Sequence, residues 1–221
     1  MPAIDHLVYA VPDLDAGVAD VAKLTGAEAV AGGSHPGAGT RNALLSFDDS
    51  TYFEIISTDP AQPEPERPRP FGVDPSQPSR LASFAIHPTG DETIDTVAER
   101  MRALGLPVGP VEAMSRQRPD GIELRWRLTL NRPAERSDDP SLNSGVVPFV
   151  IDWGMTETPA KSSPAMGRLV ELRVSHPDAA TVEALNSIGI TVSGGEVVVA
   201  VGTSGLTAAV DCSDGRRVQL G

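Results

Sequence analysis

Apolar and polar positions alternate in a pattern that occurs three times along this chain. A short apolar run ends in a proline turn, and an amphipathic segment follows at once. The first copy reads His6-Leu7-Val8-Tyr9-Ala10-Val11-Pro12, the second Ala82-Ser83-Phe84-Ala85-Ile86-His87-Pro88, the third Glu171-Leu172-Arg173-Val174-Ser175-His176-Pro177. After the first, Leu14, Val18, Val21, Ala22 and Leu24 recur at helical spacing between a capping Asp13 and a terminating Gly26. The second helix carries Ile94, Val97, Met101 and Leu104 and ends near Gly105; the third carries Val182, Leu185 and Ile188 and ends near Gly189. Strand-like sequence follows each helix. A repeated unit of this kind decides architecture before any single motif does. It predicts an α+β fold of repeated βαβββ modules.

The spacing sets expected boundaries. Module one covers residues 1–58, with strands at 4–11, 42–47 and 52–57 and a small-residue loop at 31–40. Residues 59–79 hold seven prolines and cannot supply a continuous ladder of amide donors, so an extended surface linker is expected. Module two covers 80–154. In its strand at 122–130, Ile122, Leu124, Trp126, Leu128 and Leu130 alternate with Glu123, Arg125, Arg127 and Thr129, which gives one buried and one polar face. A second strand is expected at 146–153, and a polar loop at 132–145. A linker at 155–166 leads to a shorter, degenerate βαβββ-like module three at 167–221, with strands at 196–201, 206–212 and 216–220.

Charge narrows the function. Thirty acidic residues against 18 basic ones give a net charge of -12 over 221 residues. Phosphate backbones and anionic membrane surfaces repel such a chain at long range, which argues against both as partners. One cysteine, Cys212, rules out an internal disulfide framework and a cysteine zinc cage. No apolar run approaches the ~20 residues of a membrane span, and no basic-then-apolar leader opens the sequence. A soluble, cytoplasmic protein is expected.

Four stretches carry a resemblance. They are Ile4-Asp5-His6-Leu7-Val8 with Pro12-Asp13-Leu14; His35-Pro36-Gly37 with Gly39-Thr40-Arg41-Asn42; Tyr52-Phe53-Glu54; and Pro148-Phe149-Val150-Ile151-Asp152-Trp153-Gly154. Arg118-Pro119-Asp120-Gly121 with Leu124-Arg125-Trp126-Arg127 adds to them. In this order they resemble a glyoxalase-like domain protein of the vicinal-oxygen-chelate superfamily. The resemblance implies modules whose curled sheets enclose a cup between modules one and two, with helices outside. It implies a small-molecule lyase, isomerase or dioxygenase-like enzyme. A protein that binds and sequesters a small apolar or anionic compound in the same cup is the alternative. Members often pair modules between chains, which implies a homodimer.

In metal-using members the ligands come from the first and last strands of the paired modules. Here His6 and Glu54 match, and the resemblance makes them both the catalytic pair and the ligands of a divalent metal. Module two presents Ala82 and Val150 at the matching places, with Asp152 two residues on. The substrate-binding candidates are His35, Asn42, Arg125, Trp126, Arg127 and Asp152. Each has a plainer reading. His6 could be a strand histidine satisfied by backbone, and Glu54 an edge-strand carboxylate. His35 could be a solvated turn residue, although a loop of small residues could also act as a lid. Asn42 could bond its own loop. Arg125 and Arg127 could face solvent instead of an anion, with Asp152 pairing one of them. His87 and His176 repeat because the proline turn repeats, and the alternation puts them on the face opposite His6.

Overall fold

The computed structural model describes residues 1–117, 121, 123–130 and 145–221. Arg118, Pro119, Asp120 and Ile122, and all of the expected 132–145 loop except Gly145, lie outside the described residues.

The first copy of the pattern folds as β1 (Ala3–Ala10), α1 (Leu14–Thr25), β2 (Val30–His35), β3 (Thr40–Ser46) and β4 (Tyr52–Thr58). The second folds as β5 (Arg80–His87), α2 (Ile94–Ala103), β6 (Val111–Gln117), β7 (Glu123–Thr129) and β8 (Phe149–Asp152). Local chemistry sets the helix ends. Asp13 accepts the Ala16 amide at 2.8 Å, and Gly26 takes φ 79°, a left-handed stop that suits glycine. Thr93 and Thr96 bond each other's backbone in a capping box at the start of α2.

These ten elements build one eight-stranded sheet in the order β2-β3-β4-β1-β5-β8-β7-β6. β1 pairs antiparallel with β5 at its centre, and each of those two pairs parallel with the last strand of its own copy. The two halves are therefore related by a pseudo-twofold axis between β1 and β5. The sheet curls until its edge strands β2 and β6 approach each other. Its inner face carries Val8, Ala10, Ile56, Ala82, Ala85, Leu128, Phe149 and Ile151. Its outer face joins the helices in the main core through Ile4, Leu7, Phe53, Ile55, Phe84, Ile86 and Val150.

The third copy has the same string of elements, β9 (Gly167–His176), α3 (Ala179–Ile188), β10 (Glu196–Val201), β11 (Gly205–Cys212) and β12 (Arg217–Leu220). It is wired differently. Its sheet runs β10-β9-β11-β12, so the first strand pairs with the strand that follows its helix rather than with the last one. A straight strand-helix-strand crossover accounts for that pairing. This sheet packs into the main core through Leu169, Leu172, Val174, Ala208 and Val210. It is tied to β1 by the Ile4 amide to the Thr191 carbonyl at 2.9 Å, and to β3 by the Ser46 amide to the Pro164 carbonyl at 2.7 Å.

Three expectations change. The glycine-bearing run at 31–40 is not all loop: residues 30–35 are β2, paired antiparallel with β3. β6 is an additional strand; its mixed Val-Glu-Ala-Met-Ser-Arg-Gln sequence gives little alternation to read. The proline-rich segment is not a free surface linker. Val73 is buried in the apolar lining of the inner face, with Phe71 packed beside it. No helix among the described residues is long and apolar enough to cross a membrane.

Since one core cluster spans both sheets, Leu172→Ala is expected to cost about 2–5 kcal/mol and to leave a single cooperative transition in urea. Two separated transitions would show that the second sheet melts on its own.

Candidate functional site

The inner face of the curled sheet encloses a cavity of about 350 Å³. Period-two alternation brings His6 from β1, Asn42 and Leu44 from β3, and Tyr52, Glu54 and Ile56 from β4 to one half of it. Trp126 and Leu128 from β7, with Phe149, Ile151 and Trp153 from β8 and its end, form the other half. One half is polar and the other apolar.

Glu54 is the centre of the polar half. Its residue is 6% exposed in an otherwise apolar strand, where a carboxylate needs partners. Asn42 Nδ2 donates to Glu54 Oε1. His6 Nε2 stands 3.8 Å from Glu54 Oε2. Asn42 Nδ2 also lies 3.3 Å from His35 Nε2. In that arrangement His35 Nε2 accepts, so His35 carries its proton on Nδ1 and donates to Thr40 Oγ1 at 2.9 Å. His35 ends β2 directly across from Thr40 and is held there, not carried on a lid. Gly32 is small for a reason: a Cβ there would collide with Asn42 Oδ1.

Asp5 is the site residue that sequence reasoning missed. A register shift between Ile4 and His6 in the β1–β5 pairing makes Asp5 a bulged extra residue. Asp5 and its neighbour His6 can then turn toward the same side. Asp5 Oδ1 lies 2.7 Å from His6 Nδ1, and the Trp153 indole N–H donates to the same carboxylate at 3.2 Å. His87 Nδ1 stands 3.5 Å from Asp5 Oδ2. Burial pushes the Asp5 carboxyl up, but hydrogen bonds and charge from His6 and His87 outweigh it and hold Asp5 below the usual carboxylate range. With Nδ1 bonded to Asp5, Nε2 is the His6 nitrogen offered to the cup. Tyr52 stacks on the imidazole at 4.4 Å and Phe149 meets it edge-on at 5.4 Å, which fixes the ring plane.

Bulges also correct the parity expected for His87. A second register shift, between Val8 and Tyr9, falls opposite Ala82. It carries the alternation over by one, so His87 comes round to Asp5 instead of facing away from the His6 side. His176 does serve its turn: its Nδ1 accepts the Asp178 amide at 3.1 Å.

Three candidates lie outside the cup. Val150 faces the main core, so Asp152, two residues on, also turns away from the inner face; it accepts the Gly154 amide at 2.9 Å. Arg127 pairs with Asp95 at the start of α2 at 2.9 Å, and Arg125 with Glu123 at 2.8 Å. Neither arginine uses Asp152 in these pairs. Trp126, between them, does reach the cup, as Leu128 does.

The donor set does not fit a resident divalent metal. Asn42's amide hydrogens occupy Glu54 Oε1 and His35 Nε2, which leaves His6 Nε2 and Glu54 Oε2. Catalytic sites for such ions use about three protein ligands. The facing half offers Ala82, Ala85, Leu128, Phe149 and Ile151, none of them a ligand. Among the described residues no group of three His, Cys, Asp or Glu side chains could hold a metal ion.

The sequence profile of the glyoxalase-like domain family matches residues 4–189. Among solved structures, a hypothetical protein from Staphylococcus aureus matches with a TM-score of 0.59 at 16% identity, covering 85% of this chain and 75% of its own. Methylmalonyl-CoA epimerase from Streptomyces coelicolor, solved with 2-nitronate-propionyl-CoA, matches at 20% identity and TM-score 0.44, covering 67% of this chain and 95% of that one. The epimerase from Mycobacterium tuberculosis matches at 16% identity and TM-score 0.38, covering 67% and 85%. No curated protein matches the sequence. The chain belongs to the glyoxalase-like domain family, and its two-half cup is the vicinal-oxygen-chelate fold.

Two outcomes test this geometry. A carboxyl held low in the folded state stabilises the fold above its unfolded value, near pH 4, and that contribution is lost as pH falls toward the folded value. Asp5→Asn is expected to cost about 1–3 kcal/mol at neutral pH and to flatten the acid limb of the urea-midpoint profile below about pH 4 to 5; an unchanged limb would place the slope elsewhere. Protein purified without chelator is expected to carry well below one equivalent of metal by elemental analysis. A full equivalent that disappears in His6→Ala would contradict the donor count.

Proposed function

We propose that the cup is a small-molecule active site in which Glu54 removes a proton from a carbon beside a carbonyl and returns it. One observation carries the reading. A buried carboxylate faces an apolar cavity with one oxygen held by Asn42 and the other turned toward the imidazole of His6. A fixed, buried carboxylate in a largely apolar cup is suited to act as a general base for a C–H bond. As Glu54 Oε2 takes the proton, negative charge builds on the carbonyl oxygen. His6, donating from Nε2, stabilises that oxygen, and Asp5 at Nδ1 compensates the imidazolium. Returning the proton to the same carbon or its neighbour gives an isomerase outcome. Loss of a group from the adjacent carbon gives a lyase outcome. A dioxygenase step would need the metal site that the donor set does not complete.

A second reading has its own support. The half of the cup built from β7 and β8 supplies only apolar and aromatic side chains apart from indole N–H, which suits a protein that sequesters its ligand. The two readings part on chemistry. Butyrophenone in D2O is expected to exchange the protons beside its carbonyl faster with protein than in buffer, read by proton NMR. Glu54→Gln is expected to lower that rate by about 100-fold or more with an unchanged circular dichroism spectrum. Equal exchange in Glu54→Gln would sink the catalytic reading. Binding without exchange would favour sequestration.

A further inference from the structure

Aromatic side chains are scarce in this sequence: two Trp, two Tyr and five Phe. Five of these line one cavity: Tyr52, Phe71, Trp126, Phe149 and Trp153. The cavity's volume of about 350 Å³ is roughly twice the ~150 Å³ that encloses benzene. It has room for one ring and a short side chain.

Its polar lining carries both signs of charge. Glu54 is buried in it. Among the described residues, the exposed Arg67 is the one lysine or arginine that lines the cavity, and it belongs to the proline-rich strap, residues 59–79. A carboxylate on the ligand would be repelled by the buried Glu54 and attracted by the exposed Arg67.

The strap that carries Arg67 is fixed. Arg69 Nε donates to the Gly39 carbonyl at 3.1 Å. Arg80 donates to the carbonyls of Phe71 at 3.2 Å and Gly72 at 2.8 Å. Phe71 has φ 57°, the one positive value at a non-glycine residue among the described residues. Such a conformation costs on the order of 1–3 kcal/mol and persists where the surroundings hold it. Here the Arg80 clamp holds it and sets the Phe71 ring 5.3 Å from Phe149. Strain is retained where it builds the cavity wall.

We propose that the cup takes a compound with a single aromatic ring and a short side chain that ends in a carboxylate. Its ring lies against Phe71, Phe149 and Trp126. Its carboxylate meets Arg67, and the carbonyl between them turns its oxygen toward His6 and its neighbouring C–H toward Glu54. Only the placement of that carbonyl rests on the proton-transfer reading.

Three matched probes test the class. Benzoylpropionate has ring, ketone and carboxylate; butyrophenone lacks the carboxylate; levulinate replaces the ring by methyl. Trp126 and Trp153 are the chain's two tryptophans and both line the cavity. Their indole N–H resonances in nitrogen-15 NMR therefore report its occupancy directly. Benzoylpropionate is expected to bind about fivefold or more tightly than butyrophenone at low salt, and levulinate more weakly than either. Arg67→Gln is expected to bring the first ratio below twofold while leaving butyrophenone unchanged. Phe71→Ala is expected to weaken both ring compounds. Equal affinity for benzoylpropionate and butyrophenone, a ratio that survives Arg67→Gln, or no indole shift with any ring compound would overturn the proposal. Glu54→Gln keeps the two failures apart: binding that follows the expected order without Glu54-dependent exchange defeats the catalytic reading and leaves the ligand class standing.

Discussion

The antiparallel pairing of β1 with β5 is the constraint on which the site depends. It joins the two halves of the sheet, and its two register shifts decide which side chains face inward. Without the first shift, Asp5 and His6 would point to opposite faces. With it, a buried carboxylate sits beside the imidazole it orients. The same carboxylate receives the indole N–H of Trp153 from the far end of β8. One ionised group thus ties the polar half of the cup to the apolar half. Its own desolvation is offset only because three partners from three strands converge on it.

Polarity is then divided cleanly. Hydrogen-bonding side chains come from β1, β2, β3 and β4, and most of the rings, Tyr52 on β4 apart, from β7, β8 with its end, and the strap. Glu54 is neither an exposed edge residue nor a ligand with open lone pairs on both oxygens. Asn42 occupies one oxygen, and the packing of Asn42 over Gly32 fixes the amide. The second sheet adds no side chain to the cavity lining. Its contribution is to the outer core, where Leu169, Leu172 and Val174 extend the packing behind β1 and β5.

Much of this was legible in the residues. The helices followed from spacing and caps, and the strand-proline-helix repeat placed β1, β5 and β9. The resemblance pointed to His6 and Glu54, which do line one cavity, and the alternation in β7 separated Trp126 and Leu128 from the arginines, although both arginines were expected to bind a ligand. Two of the misreadings share one cause. Period-two reasoning assumes an unbroken ladder, and a bulge shifts the parity without any marked change in composition. That hid Asp5 and misplaced His87. Asp152 failed differently: its side follows from Val150, whose burial depends on the helix packed behind it. The third copy shows the limit of a repeat as well. An equal string of elements does not fix which strands pair, because the pairing depends on where each crossover finds a free edge.

The division between the two halves has a consequence that follows from their being one chain. In a cup made by two identical chains about a twofold axis, every residue appears twice, and a carboxylate placed on one wall is repeated by rotation on the other. Here the strap at 59–79 joins the halves covalently. Each wall can therefore be specified alone. The chain holds Glu54 on one side and Val150, turned outward, at the matching place on the other. The two orientations of a guest related by the pseudo-twofold axis would therefore meet unlike walls and differ in energy.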